Sequence, residues 1–312
     1  MSGIVLVTGA AGFTGQYVCA ALLAHGWRVA GLVREPEEAE GLDARVDVRC
    51  ADLLDRDQLR RTVDAVRPSR VVHLAGQAFV ADDDVEAMYR VNLIGTRHLL
   101  EALAESGSEP RAVVLASSAN VYGHSPADPL HEGVAPAPAN DYAVSKLAME
   151  YMARCWLTHL PITIVRPFNY TGVGQSERFL LPKIVAHFAR GERTIELGNL
   201  DVERDFSDVR TVAEVYARLL SGDFSGETFD LCSGRAWSLR EVLDTMATIA
   251  GYRISVRVNP AFVRADEVRR LRGSGAKLRM ALARTTPGQV VPAHAFEETL
   301  RWMYAHAQKG WS

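Results

Sequence analysis

Lysine is scarce in this chain. Of its 35 Lys and Arg residues four are Lys, at positions 146, 183, 277 and 309, so 31 are Arg. Arginine carries nearly all of the positive charge, which singles out each lysine for inspection. A net charge of −3 leaves no global basic surface for nucleic acid. Cysteine is scarce too. Cys19, Cys50, Cys155 and Cys232 lie far apart with no CxxC pair, which excludes zinc spacing and a disulfide framework. They read as small buried apolar residues of a reducing compartment. No stretch approaches the ~18 apolar residues of a membrane span. The opening residues 1–9 lack the basic region and apolar length of a signal peptide. At 48% hydrophobic and 23% charged residues, disorder is excluded as the main state. The expectation is a soluble cytoplasmic protein with no metal, no membrane partner and no nucleic acid.

The pattern along the chain alternates strand and helix. Apolar, β-branched runs at 4–8, 28–33, 46–50, 70–74, 112–116 and 162–165 suit strands buried on both faces. Helical stretches fall between them, from the glycine-rich turn to about His25, then at 56–66, 85–105 and 141–158. This predicts an α/β fold, a Rossmann-type doubly wound parallel sheet with right-handed crossovers. After Arg166-Pro167 the rhythm changes to turns, short strands, helices near 179–190, 209–220, 238–250 and 295–306, and a strand at 228–232. The segment 263–284 is Arg-rich and reads as irregular. The expected division is a dinucleotide-binding domain over 1–168 plus about 207–233. A smaller mixed α/β substrate domain then takes about 169–206 and 234–312. The acidic run Asp82-Asp83-Asp84 reads as a solvated helix start, where the helix dipole favours acids.

Gly9-x-x-Gly12-Phe13-Thr14-Gly15 follows the first strand and opens its helix. A glycine turn there brings backbone N–H groups and a helix N-terminus to a pyrophosphate. The second strand ends in Leu32-Val33-Arg34, with no acid to bind a ribose 2′-hydroxyl. Arg34 suits a 2′-phosphate instead, so NADP(H) is favoured and NAD(H) stays open. Asp52-Leu53, after the third strand, stands where a carboxylate accepts from an adenine amino group. Leu74-Ala75-Gly76 approaches the cofactor backbone, and His73 before them reads as a packed strand residue. Ser118 ends the fifth strand, and Tyr142 and Lys146 lie four apart on one helical face. An ammonium near a phenol lowers its pKa, and a serine hydroxyl can bond a carbonyl or alkoxide. The set fits hydride chemistry at a carbon bearing oxygen.

Several segments together carry a resemblance: Thr8 to Gly15, His73-Leu74-Ala75-Gly76, Asn92-x-x-Gly95-Thr96, Ser117 to Gly123, Tyr142-x-x-x-Lys146 and Arg166-Pro167-Phe168-Asn169. In that order the chain resembles an extended short-chain dehydrogenase/reductase acting on nucleotide sugars. The resemblance implies catalysis by Ser118, Tyr142 and Lys146, with Tyr142 and Lys146 also at the cofactor and Asn92 among the cofactor-site residues. The second half, with Asn169 to Gln175, Leu181-Pro182-Lys183 and Leu197 to Val209, resembles the GDP-mannose branch. Lys183, Arg204 and Arg264 are then candidate cations for the diphosphate, and Asp266 or Glu267 candidate acceptors from the base. Asn169 and Asn199 are further candidate substrate residues, Asn199 alternatively a turn residue. Ala265 stands where the branch has proline, and Gly273 to Lys277 only approximates the next motif.

The reaction is read from an absence. Dehydratases of this family place an acid just after the catalytic Ser/Thr, whereas here stand Ala119 and Asn120. Neither is a general base. No cysteine adjoins Ser118, and His187 has no thiol partner, which argues against an epimerase-reductase. The expected function is NAD(P)H-dependent reduction of the C4 ketone of a GDP-linked 6-deoxy-4-keto-hexose, GDP-6-deoxy-4-keto-D-mannose. The product is GDP-6-deoxy-D-mannose or its C4 epimer, GDP-6-deoxy-talose, with Asn120 a candidate sugar contact. The alternatives are a C4 epimerase, or a ketoreductase of a UDP-, dTDP- or CDP-sugar, with a dehydratase or a dinucleotide sensor behind them. The resemblance also implies a homodimer through the helices 85–105 and 141–158. Met149, Met152, Trp156 and Leu157 are candidates for that surface or, equally, for the core.

Overall fold

A computed structural model describes residues 3–77, 84–263, 267–285 and 290–310. Strands β1 (Ile4–Thr8), β2 (Arg28–Val33), β3 (Asp47–Cys50), β4 (Arg70–His73), β5 (Val113–Ala116) and β6 (Ile162–Pro167) form one parallel sheet with β10 (Thr228–Leu231). Its order is β10-β6-β5-β4-β1-β2-β3, so the winding reverses between β1 and β4. Ligands of open α/β sheets bind outside the carboxyl ends of the strands at such a reversal.

The apolar runs are continuous because alternate residues feed two cores. Val5, Val7, Val29, Val72 and Val114 face helices α1 (Phe13–Ala24) and α7 (Val209–Leu219). Leu6, Ala30, Leu32, Val71, Val113 and Leu115 face α2 (Arg56–Val66), α4 (Thr96–Glu105) and α5 (Asp141–Arg154) on the other side. The fold class expected from the alternation is the one observed.

The remaining elements gather in a second group. Strand β9 (Glu203–Asp208) pairs with β7 (Asn169–Thr171), β11 (Ala236–Ser238) and β13 (Arg270–Leu271), while β8 (Thr194–Leu197) pairs with β12 (Ser255–Val258). Helices α6 (Leu180–Ala189), α8 (Leu239–Ala250) and α10 (Phe296–Ala307) share a core there.

Four expectations are corrected. The helix expected over 85–105 is interrupted: α3 (Val85–Tyr89) passes into a π-helical turn, Arg90–Gly95, before α4. The helix expected to 158 ends at Arg154, and Met149, Met152, Trp156 and Leu157 all pack in the sheet core. The segment 263–284 is not wholly irregular. Its end is helix α9 (Ala276–Thr285), whose Leu278 and Leu282, four apart, are buried; its Ala, Leu, Met, Lys and Arg are strong helix formers. Of the cysteines, only Cys19 is fully buried and Cys155 is exposed; all four are free. Asp84 does cap α3, accepting from the Ala87 amide at 2.9 Å; Asp82 and Asp83 lie outside the described residues. No helix among the described residues is long and apolar enough to cross a membrane.

Candidate functional site

The glycine turn joins β1 to α1 at the reversal of the sheet. Gly9 has φ +66°, and a Cβ on it would stand 2.8 Å from the Ala75 nitrogen. Only glycine permits that conformation and that approach together. Gly12 is the N-cap of α1, with no side chain capping the helix and no acid in its first turn. Gly15 is buried beneath the loop. The open amides suit an anionic phosphate. The turn of Gly9, Gly12, Phe13, Thr14 and Gly15 therefore has a shape that fits a dinucleotide phosphate.

Tyr170, from β7, closes the far side of this loop. Its ring stacks on Phe13, centroids 6.2 Å apart, and its hydroxyl lies 2.8 Å from Thr14 Oγ1. Tyr17 donates to the Val173 carbonyl at 2.8 Å, one turn along the helix. Sequence reasoning did not give Tyr170 a role. The signal was an aromatic next to Asn169, which pattern alone cannot join to residue 14.

At the end of β2, Arg34 is exposed and paired. Its guanidinium meets Glu38 at 3.0 Å, and its backbone amide donates to the same carboxylate at 3.0 Å. Asp52 accepts from the Leu54 amide at 2.8 Å, and Leu53 is buried with its carbonyl 3.0 Å from His98 Nδ1. His73 lies buried between Thr8 and Thr96, at 2.7 and 2.9 Å. Thr96 spends its hydrogen on the Asn92 carbonyl, so His73 Nε2 must donate to it, and Nδ1 accepts from Thr8. Burial, aided by the Lys146 charge, pushes the imidazole down to about 3. It is a neutral packing residue.

Asn92 sits in the π-helical turn. Its side chain accepts from the Gln77 amide at 2.9 Å and donates to the Gln77 carbonyl and to Ser145, at 3.1 and 3.0 Å. It ties the loop after β4, with Leu74, Ala75 and Gly76, to the helix that carries Tyr142 and Lys146. A Cβ on Gly76 would stand 3.3 Å from Lys146 Nζ, so this loop passes directly over the ammonium.

Asn140 caps α5 through the Ala143 amide at 2.9 Å, and so sets where Tyr142 and Lys146 emerge. Ser118 is the N-cap of a 3-10 turn, Ala119–Tyr122. All three side chains are buried. Burial raises the Tyr142 phenol to about 12, and a hydrogen bond from Ser118 works against that rise. Burial lowers Lys146 to about 8, opposed by the charge of Glu150. Lys146 donates to the Ala116 carbonyl at 2.9 Å. The phenol is thus protonated and tuned at this stage by Ser118. One of the three ammonium N–H groups of Lys146 is used on the Ala116 carbonyl, and two are left to face a phenolate or a ligand.

The expected substrate residues are scattered around this centre. Asn120 lies half-buried in the turn after Ser118, and Asn169 is exposed at the start of β7. Lys183 on α6 donates to the Glu196 carbonyl at 2.8 Å and sits 4.4 Å above the Phe262 ring. Asn199 follows β8 and is half-buried. Arg204 and Glu267, assigned to different parts of a ligand by sequence, form an ion pair with each other. Glu267 borders a cleft of about 500 Å³ between residues 123–128 and 267–272. Arg264 and Asp266 lie outside the described residues.

The family model for GDP-mannose 4,6 dehydratase matches residues 6–285. A GDP-6-deoxy-D-talose 4-dehydrogenase of Aggregatibacter actinomycetemcomitans is 33% identical, over 88% of this chain and 89% of that protein. A GDP-6-deoxy-D-mannose reductase of Pseudomonas aeruginosa is 35% identical, over 89% and 90%. Among solved structures, RMD from Pseudomonas aeruginosa complexed with NADPH superposes with TM-score 0.83 at 33% identity, covering 99% of each chain. A Burkholderia cenocepacia protein provisionally described as an epimerase superposes with TM-score 0.92 at 50% identity, again over 99% of each. With 280 consecutive residues inside the family model and relatives matched nearly end to end, this chain belongs to the GDP-mannose 4,6 dehydratase family of extended short-chain dehydrogenase/reductases.

Proposed function

We propose that the protein reduces the C4 ketone of GDP-6-deoxy-4-keto-D-mannose, giving GDP-6-deoxy-D-mannose or its C4 epimer GDP-6-deoxy-talose. The observation that carries this is the turn after Ser118. Ala119 is buried, Asn120 follows it, and neither a carboxylate nor a thiol stands in residues 119–122. Such a site can exchange hydrogen at a carbinol carbon. It has no base there for C5, as a dehydratase needs. The two relatives named for a GDP-6-deoxy-hexose support the substrate class.

A reduced nicotinamide dinucleotide, when bound, supplies the hydride. NADP(H) is favoured because Arg34, and not an acid, directly follows β2, and because RMD binds NADPH. Gly9, Gly12 and Gly15 hold the pyrophosphate on the α1 amides. Asn92 fixes the loop of Leu74 to Gly76 along the cofactor, and Asp52 and Leu53 meet the adenine. Ser118 and Tyr142 bond the ketone oxygen, and Tyr142 passes its proton to that oxygen as it becomes an alkoxide. A phenol held near 12 starts protonated, as reduction requires. Lys146 stabilises the phenolate left behind. Lys183 and Arg204 face the diphosphate, and Asn120, Asn169, Asn199 and Glu267 contact sugar or base.

In this reading residues 1–168 with about 207–233 bind the dinucleotide, and about 169–206 with 234–312 bind the GDP-sugar. The protein works in the cytoplasm as a homodimer. The exposed Ile94, Val144 and Tyr151 on the π-helical turn and α5 supply the paired surface.

The test is NADPH and NADH oxidation with GDP-6-deoxy-4-keto-D-mannose, with Tyr142→Phe as control and the product's C4 configuration read by NMR. Substrate-dependent oxidation that falls about 10²–10⁴-fold in the variant is expected. No oxidation by folded, NADPH-binding protein overturns the assignment. The likeness to the Burkholderia protein favours a second reading, C4 epimerisation. Turnover of a GDP-hexose with no net consumption of dinucleotide would establish that instead.

A further inference from the structure

Three consecutive residues at the end of β5 are each tied to one face of α5. The Ala116 carbonyl accepts from Lys146 at 2.9 Å. Ser117 Oγ donates to Glu150 at 2.5 Å. Ser118 approaches the Tyr142 phenol and opposes the rise that burial gives it. Tyr142, Lys146 and Glu150 are spaced by four along the helix, so they form one stripe. The catalytic reading uses the first and last of these ties and leaves Glu150 without a task.

Glu150 is fully buried, and Arg166, at the end of β6, meets it through two bonds, Nε to Oε1 at 2.8 Å and Nη2 to Oε2 at 2.6 Å. The third arm of the same guanidinium donates to the Tyr122 hydroxyl at 2.9 Å. Tyr122 ends the short turn that Ser118 begins. One carboxylate thus controls the residue before Ser118 directly, and the far end of Ser118's turn through Arg166. Buried bidentate Arg–carboxylate pairs fix geometry more than they add stability.

We infer that Glu150, locked by Arg166, is the positioning residue that holds Ser118 in register with Tyr142 and Lys146. The inference deepens the proposed function and rests on it for the roles of those three residues. A second consequence follows from placement. Glu150 is one turn from Lys146, and its charge opposes the burial that pulls the ammonium down. The other titratable groups around Lys146 are the neutral His73 from β4 and Tyr142 on α5 itself. Arg166 from β6 and Tyr122 from the 3-10 turn are bound to the Glu150 network. Tyr89 of α3 meets α5 only at its start, through Asp141 at 3.0 Å.

The scarcity of lysine makes a direct test practical, because ¹³Cε-lysine NMR has four side chains to resolve. Lys146 is assigned by its loss in Lys146→Met and titrated in the wild type and in Glu150→Gln, without substrate. The expected result is a titration lowered by about one pH unit in Glu150→Gln, a tenfold change in proton affinity. An unmoved titration in a folded variant overturns the electrostatic consequence. The register is tested by Ser117→Ala, which leaves the Glu150–Arg166 pair intact. Its kcat is expected to fall about tenfold, with KM and NADPH affinity within about twofold and Lys146 titrating as in the wild type. Wild-type kcat overturns the positioning role. Should Glu150→Gln not fold, Glu150→Asp replaces it: the charge stays and the reach to Ser117 is lost. There the titration should hold while kcat drops, and the reverse pattern overturns the inference. Wild-type inactivity on the GDP-keto-sugar would sink the substrate assignment alone, since the lysine titration is read without it.

Discussion

Thr14 and Tyr170 meet hydroxyl to hydroxyl at 2.8 Å although 156 residues separate them. The contact joins the first turn of α1 to β7, the first strand after the parallel run to 167. Stacking of Tyr170 on Phe13 holds the same junction apolar side to apolar side. The glycine loop and β7 thus meet at one junction, which the pairing of β7 extends to β9. Tyr170→Phe keeps the stack and deletes the bond. A neutral hydrogen bond is worth about 1 kcal/mol, so NADPH affinity is expected to fall about fivefold. Calorimetric titration measures it, and unchanged affinity would separate the junction from cofactor binding.

Gly9 admits no side chain. At φ +66° a Cβ costs backbone strain, and here it would also press on the Ala75 nitrogen at 2.8 Å. Gly9→Ala is expected to lose about 1–3 kcal/mol of stability, seen in urea unfolding, and to weaken NADPH binding at least tenfold. Binding at wild-type strength would show that the loop shifts freely, against the close approach of β1 and the segment after β4.

Arg34 has a competitor. Glu38 holds its guanidinium and its backbone amide, and a 2′-phosphate must replace or share that carboxylate. An exposed pair of this kind contributes about 0.2–1 kcal/mol. Glu38→Gln should therefore improve NADPH affinity about two- to fivefold and leave NADH unchanged. Arg34→Ala should weaken NADPH about tenfold, again sparing NADH. Equal effects of either substitution on the two dinucleotides would remove Arg34 from the 2′-phosphate site.

What the sequence makes legible is what is local. The run Ile4–Thr8 and the glycine turn lie side by side in the chain, and so do Tyr142 and Lys146 on one helical face. Local pattern also predicts the two-core sheet, because period-two alternation needs no knowledge of partners. Pairs set by tertiary folding were not legible. Arg204 and Glu267 read as two separate ligand contacts, and their union needs β9 and the segment before β13 side by side. Arg166 read as part of a motif and Glu150 drew no reading at all; their bond exists because α5 packs across β6. The π-helical turn at Asn92 has no Pro or Gly–Ser break to announce it. The choice between surface and core for Trp156 was likewise not legible: the helix ends two residues earlier, and Trp156 packs against the sheet core.

Asp230 gives the fold an uncommon pH response. Its carboxylate is fully buried on β10 and accepts from the Tyr122 hydroxyl at 2.9 Å. Its backbone amide donates to Glu132 at 2.8 Å. Burial raises it from 3.8 to about 7, with the Glu132 charge adding and the Tyr122 bond opposing. Below about pH 4 the carboxyl is protonated in both folded and unfolded chains. Between about 4 and 7 the folded protein keeps a proton that the unfolded chain has lost, so stability falls as pH rises through this window. Above 7 the full cost of the buried charge is present. Asp230→Asn accepts the same bond from Tyr122 and never ionises. Its stability relative to the wild type should therefore improve from pH 4 to pH 8, by at most about 4 kcal/mol, with most of the change by pH 7. Urea unfolding of both proteins at pH 5, 6, 7 and 8 reads this difference with other titrations cancelled. Parallel curves across that range would mean that Asp230 is already ionised in the folded state, held so by Arg166 through Tyr122, and that Tyr122 relays charge as well as geometry.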